Sequence, residues 1–375
     1  MAEARNVELM SVGPDEAVIT FTTDPGVEAT TVVDGVEVTT TGPHHVARLH
    51  GLEPATEYAW RIEGVHAGEV DERYAPDRFS TLARPSGALL ATVATANDVH
   101  FGEIECGRLE MMGHDLTGEV FTSQPGEAPY PEVMNRGAIA EMAALDPDAV
   151  VVKGDLTSFG TEEEYESFLR SYGVFGDRLH HVRGNHDVAV SDTIAATGPF
   201  AVELPGVILA VLDTARFRRE NGRITPEQLG WLDELAAEAD RPVLVFGHHH
   251  PWSPDSNTRS ETYFGIVPDD SDALVDVIAR RESIAGYFAG HTHRNRVRRF
   301  AAARDVPIVE VACVKDYPGA WAEYRIHEGG FTQVMRRIAT PEALDWTEKT
   351  RQMFHGLYRD YALGPLDWRC FAETF

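Results

Sequence analysis

The sequence predicts an all-β module followed by an α/β domain, and three observations carry that expectation. At 375 residues the chain is long enough for two cores of ordinary size. Up to about residue 82 it offers short alternating segments broken by turn pairs, the signature of a β-sandwich. After Arg84-Pro85-Ser86-Gly87, a natural linker, the pattern changes to apolar runs alternating with amphipathic helical stretches.

In the first part, Ala17 to Thr22, Val36 to Thr41 and Glu57 to Ile62 read as strands, punctuated by Pro25-Gly26, Asp34-Gly35 and Gly42-Pro43. The run from Leu52 through Pro54, Thr56 and Tyr58 to Trp60, with Phe79-Ser80-Thr81 behind it, resembles fibronectin type III domains. That resemblance implies a tyrosine corner at Tyr58.

In the second part the candidate strands are Leu89 to Thr95, Ala149 to Lys153, Leu179 to Val182, Val207 to Leu212, Val243 to Phe246, Ile284 to Ala289 and Pro307 to Ala312. Helices fit between them. The clearest begins at Thr225, with Pro226 at its first position and Gln228 placed to complete a capping box, then repeats Leu229, Leu232, Leu235 and Ala236; it is packing rather than chemistry. The expected division is residues 1–84 for the β-module, 88–340 for the α/β domain and 341–375 for a helical, aromatic-rich tail that covers the core or forms a subunit contact in a homo-oligomer.

Composition narrows the function. A net charge of −27 argues against binding duplex nucleic acid through its phosphates, which requires basic patches. Residues 1–10 carry no apolar signal core, and no run approaches the ~18 apolar residues of a membrane span. The three cysteines, Cys106, Cys313 and Cys370, are scattered without a C-x-x-C pair, which suits reduced thiols and a cytoplasmic location.

Five polar clusters each follow an apolar strand: Asn97-Asp98-Val99-His100, Gly154-Asp155, Gly184-Asn185-His186-Asp187, Gly247-His248-His249-His250-Pro251 and Gly290-His291-Thr292-His293. Ligands of open α/β sheets gather beyond the carboxyl ends of strands, so these clusters are expected to converge. Imidazole and carboxylate together suit Zn, Fe or Mn. The donors are too many for one tetrahedral zinc, but they fit two cations about 3.5–4 Å apart that share a carboxylate. Asp155 is the natural bridge.

The ordered set Asp-x-His, Gly-Asp, Gly-Asn-His-Asp, His-His-Pro and Gly-His-x-His resembles the calcineurin-like metallophosphoesterases over residues 89–312. The resemblance implies a four-layer αββα sandwich and two divalent or mixed-valence ions, Mn, Fe or Zn. Asp98, His100 and His293 would hold the first ion. Asn185, His291 and one histidine of the triple would hold the second, and Asp155 would bridge them. His186 would act as general acid or transition-state stabiliser, with Asp187 orienting it. The implied reaction is hydrolysis of a small phosphate ester by a hydroxide shared between the two ions.

This chain departs from the usual Gly-His-x-Pro in having three histidines between Gly247 and Pro251, so His248 and His249 both remain candidates. The Gly154-to-Gly160 run and Leu212-Asp213-Thr214 before Gln228 resemble the class III cyclic-nucleotide phosphodiesterase branch, which implies a diester, such as a nucleotide, as substrate. Purple acid phosphatases fit less well, because Ser158 stands where they carry a tyrosine ligand. A phosphomonoesterase, a protein phosphatase, or a metal-binding scaffold whose β-module recruits a partner are the alternatives.

Lys153 and Arg183, beside the metal motifs, are expected to solvate strand edges, the alternative being that they add positive charge to the site. The nine histidines outside the clusters, His44, His45, His180 and His181 among them, are expected to be ordinary surface or core residues. The exception is His114, inside a Gly- and Pro-rich stretch from Glu103 to Pro131 that would either wall the substrate cleft or pack on the β-module.

Overall fold

A computed structural model describes residues 2–68, 70–108, 110–111, 114–115, 117–260 and 264–375. The N-terminal strands form two sheets, antiparallel except where His66–Ala67 runs parallel to Glu3–Val12. One holds His44–His50, Glu16–Thr22, Glu3–Val12 and the short His66–Ala67; the other holds Val36–Thr41, Glu28–Val33, Glu57–Glu63 and Arg78–Ser80. Leu9, Ile19, Phe21, Val33, Leu49 and Phe79 fill the space between them. The tyrosine corner is present: the Tyr58 hydroxyl accepts the backbone N–H of Glu53 at 2.8 Å.

All seven predicted α/β strands exist, and they divide between two six-stranded sheets. In the first, Leu179–Val182, Ala149–Lys153 and Leu89–Ala96 run parallel, and Ala320–His327, Gly330–Arg337 and Cys370–Thr374 continue it antiparallel. In the second, Val207–Val211, Val243–Phe246, Ile284–Ala289 and Pro307–Glu310 run parallel between antiparallel edge strands Phe200–Leu204 and Arg296–Arg299.

The sheets face each other across Val93, Val151, Leu209, Leu244, Phe246, Phe288 and Phe331. Helices α1 (Tyr130–Leu145) and α2 (Glu162–Tyr172) cover the outer face of the first sheet through Met134 and Phe168. Helices α3 (Pro226–Glu238) and α4 (Pro268–Arg280) cover the second through Leu232, Leu274 and Ile278. The result is the expected αββα order. Parallel strands covered on both faces are apolar throughout, which is why Ala149–Lys153 is buried at every residue.

Several local readings need correction. Thr225 caps α3 by accepting from Gln228 N–H at 3.3 Å, but the Gln228 side chain does not return to the cap. It binds the backbone of Asp213 instead, accepting its N–H at 2.9 Å and donating to its carbonyl at 2.8 Å, and so pins the loop that carries Thr214. The complete capping box is at Thr161 and Glu164, ahead of α2. The tail is helical through α5 (Pro341–Thr350) and two short helices, yet it ends as Cys370–Thr374, an edge strand of the first sheet.

Within the stretch from Glu103 to Pro131, Glu105–Cys106 pairs with Phe121–Thr122, and Glu110–Met111 with His114–Asp115. A Cβ at Gly118 would lie 3.0 Å from the backbone nitrogen of His355, and one at Gly107 would lie 3.3 Å from the sulfur of Met353, so at these two described residues the stretch packs on the tail. The side chain of His114 lies outside the described residues.

The sandwich sits on the outer face of the first sheet where α1 and α2 leave it bare, and Val334 and Cys370 join its apolar core. Around that contact the charged groups are buried. Glu8 accepts from Arg351 at 2.7 Å, Arg359 at 2.9 Å and the Tyr317 hydroxyl at 2.9 Å, while Glu16 meets Arg336 and Arg325. Arg369, fully buried, donates to the carbonyls of Leu9 and Met10.

Candidate metal centre

Each predicted cluster begins where a parallel strand ends, three on the first sheet and two on the second, and the facing carboxyl edges bring them together. Asp98 is the seam. It accepts the His291 backbone N–H at 2.9 and 3.1 Å, and its Oδ1 lies 3.3 Å from Nε2 of His293. Asp155 Oδ2 lies 3.5 Å from Nε2 of His100 on one side and 3.3 Å from Nε2 of His248 on the other. Asn185 Oδ1 is 3.1 Å from the same His248 nitrogen. Three sets of side chains, Asp98–His100–His293, Asp98–Asp155–His248 and His248–His249–His291, each bring candidate donor atoms within 4.8 Å of one another.

The backbone is bent to achieve this. Asp98, His100, Asp155, His291 and His293 all hold left-handed φ between 45° and 69°. Such residues cost on the order of 1–3 kcal/mol each, so five at one sheet edge mark a place where geometry outweighs local preference. Two glycines allow the approach. A Cβ on Gly184 would fall 2.2 Å from Asp155 Oδ1, and one on Gly154 would fall 2.5 Å from Nδ1 of His248.

Hydrogen-bond partners decide which imidazole nitrogen is free, because a carbonyl can only accept. His248 Nδ1 must donate to the Lys153 carbonyl at 2.8 Å, which leaves the lone pair on Nε2, turned to Asp155 and Asn185. His249 is the opposite case. Its Nε2 donates to the Glu220 carbonyl at 3.1 Å, and its Nδ1 accepts from the Thr214 hydroxyl at 2.8 Å, which itself accepts the His249 backbone N–H. His249 therefore lies within donor distance of the cluster with no lone pair to spare, and hydrogen bonding is the better guide than distance alone. His250 is buried beside Glu310. His291 donates from Nε2 to the Phe264 carbonyl at 2.6 Å, so Nδ1 is its open nitrogen.

These residues fit a cation. Both ring nitrogens of His100 are buried with no hydrogen-bond partner, an arrangement costly for a neutral imidazole unless something electrophilic takes the lone pair. Asp98 and Asp155 are buried carboxylates, and burial works against their charge; neighbouring imidazoles nevertheless hold both below the ordinary carboxylate range. Against the same desolvation, Asp155 pushes His248 up to about 9, so a cation taking the Nε2 lone pair would displace a proton from it. Burial, by contrast, drives His249 and His291 well below 6.5.

His186 is half-buried, with its ring centroid 4.5 Å from that of His100. Its backbone N–H donates to Asp155 at 2.9 Å, and Nδ1 donates to the Ser158 carbonyl at 2.7 Å, leaving Nε2 free. Asp187 does not orient it. The Asp187 carboxylate accepts the N–H groups of Leu156 (3.1 Å), Thr157 (2.8 Å) and Gly184 (2.7 Å) and the Thr157 hydroxyl (2.6 Å), so it staples two ligand loops together. Burial and the nearby Asp155 push its carboxyl up to about 6.

The two neighbouring cations also differ from expectation. Lys153 is fully buried and donates to the Ala289 carbonyl at 2.9 Å, tying the two sheets together beneath Asp98. Arg183 pairs with Asp213 at 2.8 Å instead of meeting solvent. Sequence reasoning gave no role to Thr214, whose contact with His249 crosses 35 residues, or to Asn97, whose amide donates to Asp98 at 2.6 Å. For Asn97 a cue existed, since it precedes the first motif on the same turn.

A profile of the calcineurin-like phosphoesterase family matches residues 91–295, more than half of the chain and all five clusters. The chain belongs to that family. A glycerophosphodiester phosphodiesterase of Enterobacter lignolyticus is 26% identical over 170 residues, 42% of this chain and 60% of its own length. A cAMP/cGMP dual specificity phosphodiesterase of Mycobacterium tuberculosis is 29% identical over 163 residues, 40% of this chain and 50% of its own length. The chain thus matches less than two thirds of the length of either relative. Among solved structures, a dimetal phosphatase from Danio rerio aligns with a TM-score of 0.50 at 16% identity, over 67% of this chain and 98% of that one, and shares the metallophosphoesterase fold. The family is named for phosphoesterases, and this chain carries its imidazole and carboxylate clusters within the matched residues. Among the described residues, no helix is long and apolar enough to cross a membrane.

Proposed function

We propose that this phosphoesterase hydrolyses a small phosphodiester, a cyclic nucleotide being the example its motifs favour, at a two-metal site. The observation that carries the reading is the position of Asp155, with His100 on one side of its Oδ2 and His248 on the other. In this reading Asp98, His100 and His293 would hold one ion, Asn185, His248 and His291 would hold the other, and Asp155 would serve both. His249 lines the wall.

Two ions of the Mn, Fe or Zn type would supply an activated water and neutralise phosphate charge. The protein's own part is positional. The Ser158 carbonyl keeps the proton on Nδ1 of His186, so that Nε2 faces the cleft; when that nitrogen is protonated it can give its proton to a leaving alkoxide. Asp187, Gly184 and Thr157 keep the Asp155 and Asn185 loops in register. Residues 1–84 brace the catalytic part 88–340 rather than touch substrate, and the tail 341–375 closes the first sheet. The three buried free thiols, Cys106, Cys313 and Cys370, suit a reducing compartment.

The names of the two relatives support a diester, as does Ser158 at the position where a tyrosine ligand would favour the purple acid phosphatases. Metal-replete protein is expected to cleave a bis-aryl phosphodiester faster than an aryl monoester. The reverse preference would turn the reading into a phosphomonoesterase at the same site.

A further inference from the structure

Behind the first metal position lies a second layer of charge that no motif announces. Lys315 is 4% exposed and donates to two carboxylates, Glu103 Oε2 at 2.8 Å and Asp316 Oδ2 at 3.0 Å. Each carboxylate in turn faces one imidazole of the metal cluster. Glu103 Oε1 lies 3.8 Å from Nδ1 of His100, and Asp316 Oδ2 lies 3.6 Å from Nδ1 of His293. The remaining contacts hold the carboxylates from behind: Tyr130 donates to Glu103 at 2.6 Å, while Tyr358 at 2.5 Å and the Cys313 thiol at 2.8 Å reach Asp316 Oδ1.

Resting on the two-metal reading, we propose that Glu103 and Asp316, clamped by Lys315, are positioning residues that fix His100 and His293 with their protons on Nδ1 and their lone pairs on Nε2. With a cation between Nε2 and the nearer carboxylates, Asp155 and Asp98, the ring proton is left to the other edge, where Glu103 and Asp316 attract an N–H and repel a lone pair and so favour that one tautomer. The selected tautomer points Nε2 of His100 at Asp155 and Nε2 of His293 at Asp98, where the open donors converge. The brace serves one ion only. The histidines assigned to the other, His248 and His291, are fixed by backbone carbonyls of Lys153 and Phe264.

His293, Cys313 and Asp316 also stand close enough together to suggest a third cation site. Lys315 already supplies the positive charge there, and both Asp316 oxygens are engaged. The group is therefore a support and not a ligand set. Its members come from four separate places: the start of the stretch after His100, the first turn of α1, residues 313–316, and Tyr358 in the tail.

The test compares Glu103→Gln and Asp316→Asn with Tyr130→Phe and Tyr358→Phe, each as the full chain. Metal content is read by elemental analysis and by competition with a chromophoric chelator, and the melting temperature of the metal-free protein is read alongside. The two carboxylate variants are expected to bind one of the two ions ~10–100-fold more weakly, the range for loss of an outer partner of a metal ligand, and to keep the other at wild-type affinity. The two tyrosine variants are expected to lower the melting temperature with both ions retained. Equal weakening of both ions, or a change in melting temperature alone in the carboxylate variants, would overturn the positioning role. Wild-type protein that binds fewer than two ions would overturn the two-metal reading itself, a separate failure.

Discussion

At the scale of single residues, the site is decided by which atoms accept hydrogen bonds. His248 and His249 are adjacent, equally buried and chemically identical, and only their partners separate them. His248→Ala should therefore remove one ion and lower turnover by more than the ~100-fold typical of losing an outer partner. His249→Gln keeps a group that can donate to the Glu220 carbonyl and should retain both ions. Metal analysis of the two variants checks this, and loss of metal from the His249 variant alone would reverse the assignment. The residue types, their order and their meeting at one sheet edge were legible from sequence because each cluster follows a strand that ends in glycine or a polar turn. The choice within the histidine triple was not. It depends on the carbonyls of Lys153 and Glu220 and on Thr214, all distant in the chain.

At the scale of elements, the strand ends do the positioning, and glycine sets how closely they approach. Gly184 holds the Asn185 loop against Asp155 with no room for one more carbon. Gly184→Ala should displace the bridging carboxylate and weaken metal binding, while costing the fold only the ~1–3 kcal/mol usual for overpacking. Circular dichroism melting and metal content, measured on the same sample, separate the two effects; a variant with full metal content would show that Asp155 tolerates the shift. The parallel strands were readable because burial on both faces makes them apolar. Ala320–His327 and Gly330–Arg337 were not, since Glu323, Arg325 and Arg336 look like surface residues. Glu323 and Arg336 in fact pair at the buried contact with the sandwich.

At the scale of the molecule, the N-terminal sandwich is bound by charge as well as by apolar contact. Desolvation opposes ionisation of Glu8, yet Arg351, Arg337 and Arg359 together hold its carboxyl at about 2, against an ordinary 4.5. A depressed carboxyl stabilises the fold fully above its unfolded value, and the stabilisation is lost as pH falls from about 4.5 towards 2. The amount is on the order of 3 kcal/mol. Glu8→Gln should be less stable than wild type near neutral pH by roughly 3 kcal/mol, because Arg351 loses its carboxylate while Arg337 and Arg359 keep Glu348 and Asp71. That difference should shrink as pH is lowered through the same window. A constant difference across the window would place the stabilisation elsewhere. Deleting the sandwich outright would uncover Val334, Cys370 and Arg369 together and is expected to destabilise the rest of the chain.

All three scales meet in the two-metal claim, which is tested most directly by titrating Mn into metal-free protein while following hydrolysis of a bis-aryl phosphodiester. Little activity is expected up to one ion per chain and a steep rise as the second binds, with the diester cleaved faster than the matching monoester. Full activity at one ion per chain, or activity that never depends on added metal, would contradict it.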